Sequence, residues 1–193
     1  MRIIAGTLRS RRLSTVEGEG YRPAMAKVRE SLFSILSHRL DWEGLRVLDL
    51  FAGSGSLAFE ALSRGAQVAY MVELDHRACR CIRTNIENLG LAGRARLVEE
   101  SVPMLLRRVK GADRSVAGPF DLVFLDPPYR KNFTQSSIDA LVACGWLARG
   151  AFVAVEVEEG LKLDLPDELE TVTSRDFGQT TLLLARMRDS GEA

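Results

Sequence analysis

Four consecutive residues, Asp126-Pro127-Pro128-Tyr129, close the apolar run FDLVFLD and carry the most specific chemistry in the chain. The paired prolines stiffen the turn and remove two amide donors, so carbonyl oxygens are left to face a cleft. An exocyclic amino group on a nucleic-acid base offers two hydrogens. The Asp126 carboxylate and the Pro127 carbonyl can accept them, and a nitrogen held in this way is favoured in the pyramidal geometry needed for in-line attack on a methyl group. Tyr129 supplies a flat face on which an extruded base can stack, a contact worth about 1–3 kcal/mol. The plain alternative is a rigid strand-to-loop turn followed by an ordinary surface tyrosine.

A methyl donor would need its own seat, and DLFAGSGSL offers one. Gly53 and Gly55 lack side chains, so the backbone there can turn sharply and approach a ligand closely. Amides at the start of the following helix can donate hydrogen bonds. The spacing also satisfies G-x-G-x-x-G/A with Ala58 in the last place, which keeps a dinucleotide as a rival ligand. Asp49, inside the strand just before the loop, shifts the balance. A ligand with a cationic sulfonium and an amino group, S-adenosylmethionine, suits a neighbouring carboxylate better than a diphosphate does. Glu73, about 20 residues further on, can accept hydrogen bonds from the ribose hydroxyls of either ligand. With a sulfonium as donor, neither a metal nor a covalent nucleophile is required, and catalysis rests on positioning and desolvation.

These residues need a scaffold that brings strand ends together. From Leu45 the sequence alternates strand and helix: RVLDLF, SLAFEALSRG, AQVAYMVEL, HRACRCIRTNIENLG, RARLV, VPMLLRRV, FDLVFLD, a helix near SSIDALVACG, AFVAVEV, then final strands near ELETVTSRDF and QTTLLLARM. Such alternation predicts an α/β protein with a mostly parallel sheet, helices on both faces and an antiparallel edge. Before it, RIIAG and RRLSTV read as a short hairpin, and Pro23 opens a helix whose apolar stripe includes Val28, Leu32, Ile35 and Leu36. The expected organisation is a basic, RNA-contacting hairpin over residues 1–20, a catalytic domain over 21–188 and a frayed tail over 189–193.

The chain has 193 residues, 46% of them hydrophobic, and no apolar stretch approaches the roughly 20 residues of a membrane span. The opening MRIIAGTLRSRR does not read as a signal peptide, and a cytoplasmic monomer is expected. Net charge is zero, with Lys+Arg 26 and Asp+Glu 26, but bases crowd the first forty residues while acids gather from Glu156 to Glu170. A basic leading segment on a neutral protein suits a local phosphate-binding face, the alternative being an unevenly charged solvated surface. Cys79, Cys81 and Cys144 have no paired-ligand spacing and read as reduced thiols.

DLFAGSGSL, Glu73 and DPPY, in that order, resemble the amino-methyltransferases of nucleic acids. RIIAG, RSRRL, YRPAMAKVRESLF, GWL at Gly145–Leu147 and the terminal FGQTTLLL narrow the resemblance to the bacterial 16S ribosomal RNA guanine-N2 methyltransferases, over nearly the whole chain. The resemblance implies a Rossmann-like class I methyltransferase with a seven-stranded sheet, acting on N2 of one guanine in the small-subunit RNA within an assembling or assembled particle. It implies S-adenosylmethionine held by Asp49, Ala52, Gly53, Gly55, Glu73 and Leu74, with Ser101 aligned where the family meets adenine. Asp126 through Tyr129 would hold the guanine, Arg22 and Arg29 would face the cleft or RNA, and Arg9, Arg11 and Arg12 would grip phosphates. Two departures stand out. Ala24 and Met25 replace the usual threonines after Arg-Pro, and Ser101 replaces the usual Asn or Asp. Three other readings remain: a DNA amino-methylase acting on adenine or cytosine, a nicotinamide-dependent oxidoreductase, and a cofactor-binding assembly factor without activity.

Overall fold

A strand with apolar residues on both faces is stable only in the middle of a sheet that is covered on both sides. Arg46–Leu50 (β1) meets that condition, with every residue after Arg46 buried. In the computed structural model, which describes residues 1–16, 23–107, 116, 118–128 and 133–189, the elements follow as α1 (Pro23–Ser37), β1, α2 (Ser56–Arg64), β2 (Val68–Glu73), α3 (His76–Leu89), β3 (Ala95–Glu99), α4 (Val102–Leu106), β4 (Phe120–Leu125), α5 (Phe133–Ala143), β5 (Leu147–Glu158), β6 (Leu169–Phe177) and β7 (Thr180–Met187). Helix α3 starts under an Asp75 side chain that accepts the Arg77 and Ala78 amides, and it stops at left-handed Gly90.

The seven strands lie in the order β3-β2-β1-β4-β5-β7-β6. The first five are parallel, and β7 runs antiparallel to both β5 and β6. This is the expected mostly parallel sheet with an antiparallel edge. Helices α1, α2 and α3 cover one face through Val28, Leu32, Phe59, Leu62 and Ile82. On the other face α4 and α5 pack through Leu105, Ile138 and Leu141. Among the described residues, no helix is long and apolar enough to cross a membrane.

The leading segment departs from the expected pair of strands. Its pairing is confined to the antiparallel bridge of Arg2 with Arg12, where the Ile3 amide donates to the Arg11 carbonyl and the Leu13 amide to the Met1 carbonyl. The reason is where its amides go. Ile4 and Ala5 donate to the two oxygens of Glu60 at 2.7 and 3.0 Å. Thr7 and Leu8 donate to the Ser63 carbonyl and hydroxyl. Backbone donors engaged by α2 cannot extend a ladder. Asn85 on α3 completes the attachment, accepting from the Ser14 amide at 2.7 Å and donating to the Ser14 carbonyl at 3.0 Å. Ile3 and Leu13 enter the core beside Val28 and Phe59. The expected boundary after residue 20 lies outside the described residues, as do residues 190–193 of the expected tail.

Candidate active site

The chain leaves β1 toward β2 on one side, while β4 lies on the other, so the sheet order reverses between β1 and β4. Crevices open at the carboxyl ends of strands at such a point. The glycine loop fills this place. Its turn needs left-handed backbone at Phe51 (φ 60°), Gly53 (φ 54°) and Gly55 (φ 77°). A Cβ on Gly55 would lie 2.7 Å from Met71 Sδ and 2.8 Å from Phe59, so only glycine fits. On Gly53 it would meet nothing within 4 Å, because that position faces the open crevice. Phe51 is a bulky residue in a conformation that costs about 1–3 kcal/mol. Its ring stacks on Phe133 at a 5.7 Å centroid separation, which ties the loop to the head of α5.

Carboxyl groups crowd the strand ends. Asp49 is 2% exposed and accepts the Ala58 amide at 3.1 Å. Glu73 accepts the Gly53 amide at 2.8 Å on one oxygen and the Leu74 and Asp75 amides on the other. The Gly55 amide is taken by the Ala52 carbonyl at 2.7 Å. Burial drives the Asp49 carboxyl well above its usual range against the pull of the Ala58 amide, and the charges of Asp126 and Glu73 push the same way. Burial lifts Asp126 to about 6. Glu156, on the neighbouring strand, rises to about 8 through burial and the charge of Asp126. Burial is the first cause at all three, and a cation placed beside them would favour their charged forms.

This arrangement separates the two candidate cofactors. A diphosphate needs unengaged loop amides and a positive environment. Here the Gly53, Gly55 and Ala58 amides already serve protein oxygens, and the surrounding side chains are acids. S-adenosylmethionine brings a sulfonium and an ammonium to the same place. The open face at Gly53 and the acids Asp49 and Glu73 fit it.

The other expected residues fall into three groups. Ala52 donates its amide to the Val72 carbonyl, and Leu74, 61% exposed, stands beside Glu73. Ser101 sits at the start of α4, just past the end of β3. Asp126, half-buried, leads directly out of β4, with Pro127 buried and Pro128 exposed. Tyr129 and Arg22 lie outside the described residues. Arg9, Arg11 and Arg12 are exposed on the leading segment, and Arg11 donates to the Asn88 carbonyl at 2.6 Å. Arg29, expected to face the cleft or RNA, is instead 8% exposed and donates to the Arg2 carbonyl at 2.9 Å, joining α1 to the leader. No sequence motif marks Phe51, Phe133, Glu156 or the cavity of about 540 Å³ whose walls include Pro127, Pro128, Thr134, Glu156, Leu161 and Pro166.

The family described as Conserved hypothetical protein 95 has a model that matches residues 1–186. The chain belongs to that family. Ribosomal RNA small subunit methyltransferase D of Escherichia coli (strain K12) is 35% identical, over 100% of this chain and 93% of that protein. The protein of the same name from Haemophilus influenzae is 34% identical, over 92% and 89%. A solved structure, putative methyltransferase yhhF from Escherichia coli, superposes with a TM-score of 0.85 at 33% identity, covering 98% of this chain and 99% of that one. The resemblance read from the motifs is therefore borne out, and the chain is a methyltransferase with the Rossmann-like class I fold, for which S-adenosylmethionine is the cofactor.

The open face at Gly53 gives a direct check on the cofactor seat. Gly53→Ala places a methyl in the crevice at φ 54°, with a stability loss of only about 1 kcal/mol. The expected result is S-adenosylmethionine binding weakened at least about tenfold in calorimetric titration. Unchanged affinity would place the cofactor elsewhere.

Proposed function

We propose that this methyltransferase transfers a methyl group from S-adenosylmethionine to N2 of a guanine in small-subunit ribosomal RNA, acting as a monomer on an assembling or assembled subunit. The observation that carries the reading is the placement of Asp126-Pro127-Pro128 at the end of β4, beside the cofactor loop of β1. The names of the relatives and the motifs shared with the 16S guanine-N2 family supply the target.

S-adenosylmethionine, when bound, supplies an electrophilic methyl on a sulfonium. The protein does the rest by position. Asp126 Oδ and the Pro127 carbonyl each accept one hydrogen of the amino group. This removes the nitrogen lone pair from conjugation with the ring and points it at the crevice. The rigid prolines hold that geometry without reorganisation, the condition under which orientation contributes most. After transfer the nitrogen carries one proton too many, and the Asp126 carboxylate accepts it. A cleft already lined by Asp49, Glu73 and Asp126 favours the cationic form of the cofactor over its neutral thioether product.

Arg9, Arg11 and Arg12 are proposed as phosphate contacts on the exposed leading segment. Replacing all three by Ala should weaken RNA binding and reduce the slope of log affinity against log salt by up to about 2–3 units. An unchanged slope would remove the leader from the RNA interface. The function itself is tested by offering labelled S-adenosylmethionine with undermethylated small subunits, naked ribosomal RNA and duplex DNA in parallel. Incorporation into the small subunit or its RNA supports the reading, and incorporation into DNA alone overturns it in favour of the DNA amino-methylase.

A further inference from the structure

Glu156 is the one acid in the apolar stretch AFVAVEV of β5, and nothing in the mechanism above uses it. Its position follows from strand register. Leu125 pairs with Val155 across the parallel β4–β5 ladder, so the next residue of each strand, Asp126 and Glu156, emerges at the same edge of the sheet. Glu156 lines the cavity whose wall continues through Pro127 and Pro128. Val155 and Val157 on either side of it belong to the α4–α5 core. Strand alternation therefore turns Glu156 to the opposite face, that of Ala154. Among the described residues, no hydrogen-bond donor and no cation engages the carboxyl of Glu156 or that of Asp126. Asp49 and Glu73 differ in this respect, each already accepting backbone amides. A half-buried acid pair at adjoining strand ends, with unused acceptors and with Glu156 lining a cavity, is built to receive donors from a ligand.

The bases differ in what flanks their amino group. In guanine the amino group is next to ring N1–H, so the edge presents a continuous row of donors. Adenine and cytosine flank their amino groups with bare ring nitrogens, which are acceptors. One carboxyl can serve the amino group alone. Two carboxyls side by side match an amino group plus a ring N–H.

We propose that Glu156 is the base-selecting residue of this enzyme, accepting the ring N1–H of the target guanine while Asp126 holds the adjoining amino group. The proposal rests on the guanine-N2 reading and deepens it. An ionised carboxyl, the form Glu156 takes as pH rises past about 8, has no donor to accept from a bare ring nitrogen and faces a lone pair, so selection in that range follows from leaving a desolvated acceptor unsatisfied.

The test uses the guanine that the wild-type enzyme methylates in reconstituted small subunits, replaced there by 2,6-diaminopurine. Both bases carry the 2-amino group, but diaminopurine presents a bare N1. At about pH 9, where the Glu156 carboxyl is ionised, the wild-type enzyme should prefer guanine by about 10²-fold in kcat/KM. In Glu156→Gln, whose amide can donate to the bare nitrogen, the preference should fall to within about fivefold, with S-adenosylmethionine affinity unchanged. Glu156→Asp, which keeps a carboxyl, should retain part of the preference. A wild-type preference that survives in Glu156→Gln overturns the proposal. So does an equal loss of activity on both bases, which is the signature of a purely structural role. If the wild-type enzyme transfers no methyl to guanine at all, the guanine reading fails and the proposal falls with it, an outcome distinct from the other two.

Discussion

Asp126→Asn should lower kcat for methyl transfer by about 10²–10³-fold, the range seen when one preorganised transition-state contact is removed, while cofactor affinity stays within about threefold. The amide keeps the volume of the carboxyl but presents donors where the amino group needs an acceptor, and it cannot take the departing proton. Two further readouts separate this from misfolding. Asp126 rises to about 6 in the free enzyme, so its reactive carboxylate is lost as pH falls through that value. Wild-type kcat/KM should therefore climb as pH rises past about 6, and the variant should lose that limb. Stability should move the opposite way. A carboxyl whose pKa is raised on folding binds more protons in the folded state than in the unfolded chain. The folded protein thus loses stability as pH rises from the unfolded carboxyl value through about 6, and Asp126→Asn should flatten that fall. A variant that is both inactive and less stable at pH 8 would contradict the assignment.

Glu60→Ala should be the most damaging single change away from the crevice. Glu60 is 0% exposed and accepts from the Ile4 amide, the Ala5 amide and Arg64 Nε, the last at 2.8 Å. Truncation leaves two backbone donors and a guanidinium without their acceptor. The expected loss is about 3–5 kcal/mol, or roughly 8–15 °C in Tm for a chain of this size. Glu60→Gln keeps one oxygen acceptor and should lose less than half as much. The damage should concentrate at the leader, read as faster amide exchange at Ile4, Ala5, Thr7 and Leu8. Equal loss of protection across the central strands, with the leader spared, would show that Glu60 does not hold it.

These two residues also show what sequence can and cannot reveal. Strand and helix alternate legibly from Leu45 onward because both faces of the central sheet are covered, so β1 and β4 read as continuous apolar runs. Asp49 stands out for the same reason: an acid inside such a run is buried and needs a donor, which the Ala58 amide supplies. Glu156 in AFVAVEV has the same form, but its partner Asp126 lies 30 residues earlier and only the β4–β5 register joins them. Glu60 was hidden more deeply. In SLAFEALSR it looks like a solvated residue on the polar side of a helix, and its partners precede it by 55 and 56 residues. The leading hairpin is shorter than expected through the same contact, since amides that read as ladder donors are engaged by that buried acid. Arg29 followed suit: a base on the leading helix looked ready for RNA, yet its guanidinium closes a backbone junction.

The central claim is that the Asp126-Pro127-Pro128 turn directs a methyl group onto the exocyclic amino nitrogen of guanine. The most direct measurement is to methylate undermethylated small subunits with labelled S-adenosylmethionine, digest the RNA to nucleosides and identify the labelled one. Label in N2-methylguanosine is the predicted result. Label in a ring-methylated or ribose-methylated nucleoside, or in N6-methyladenosine or N4-methylcytidine, would contradict it.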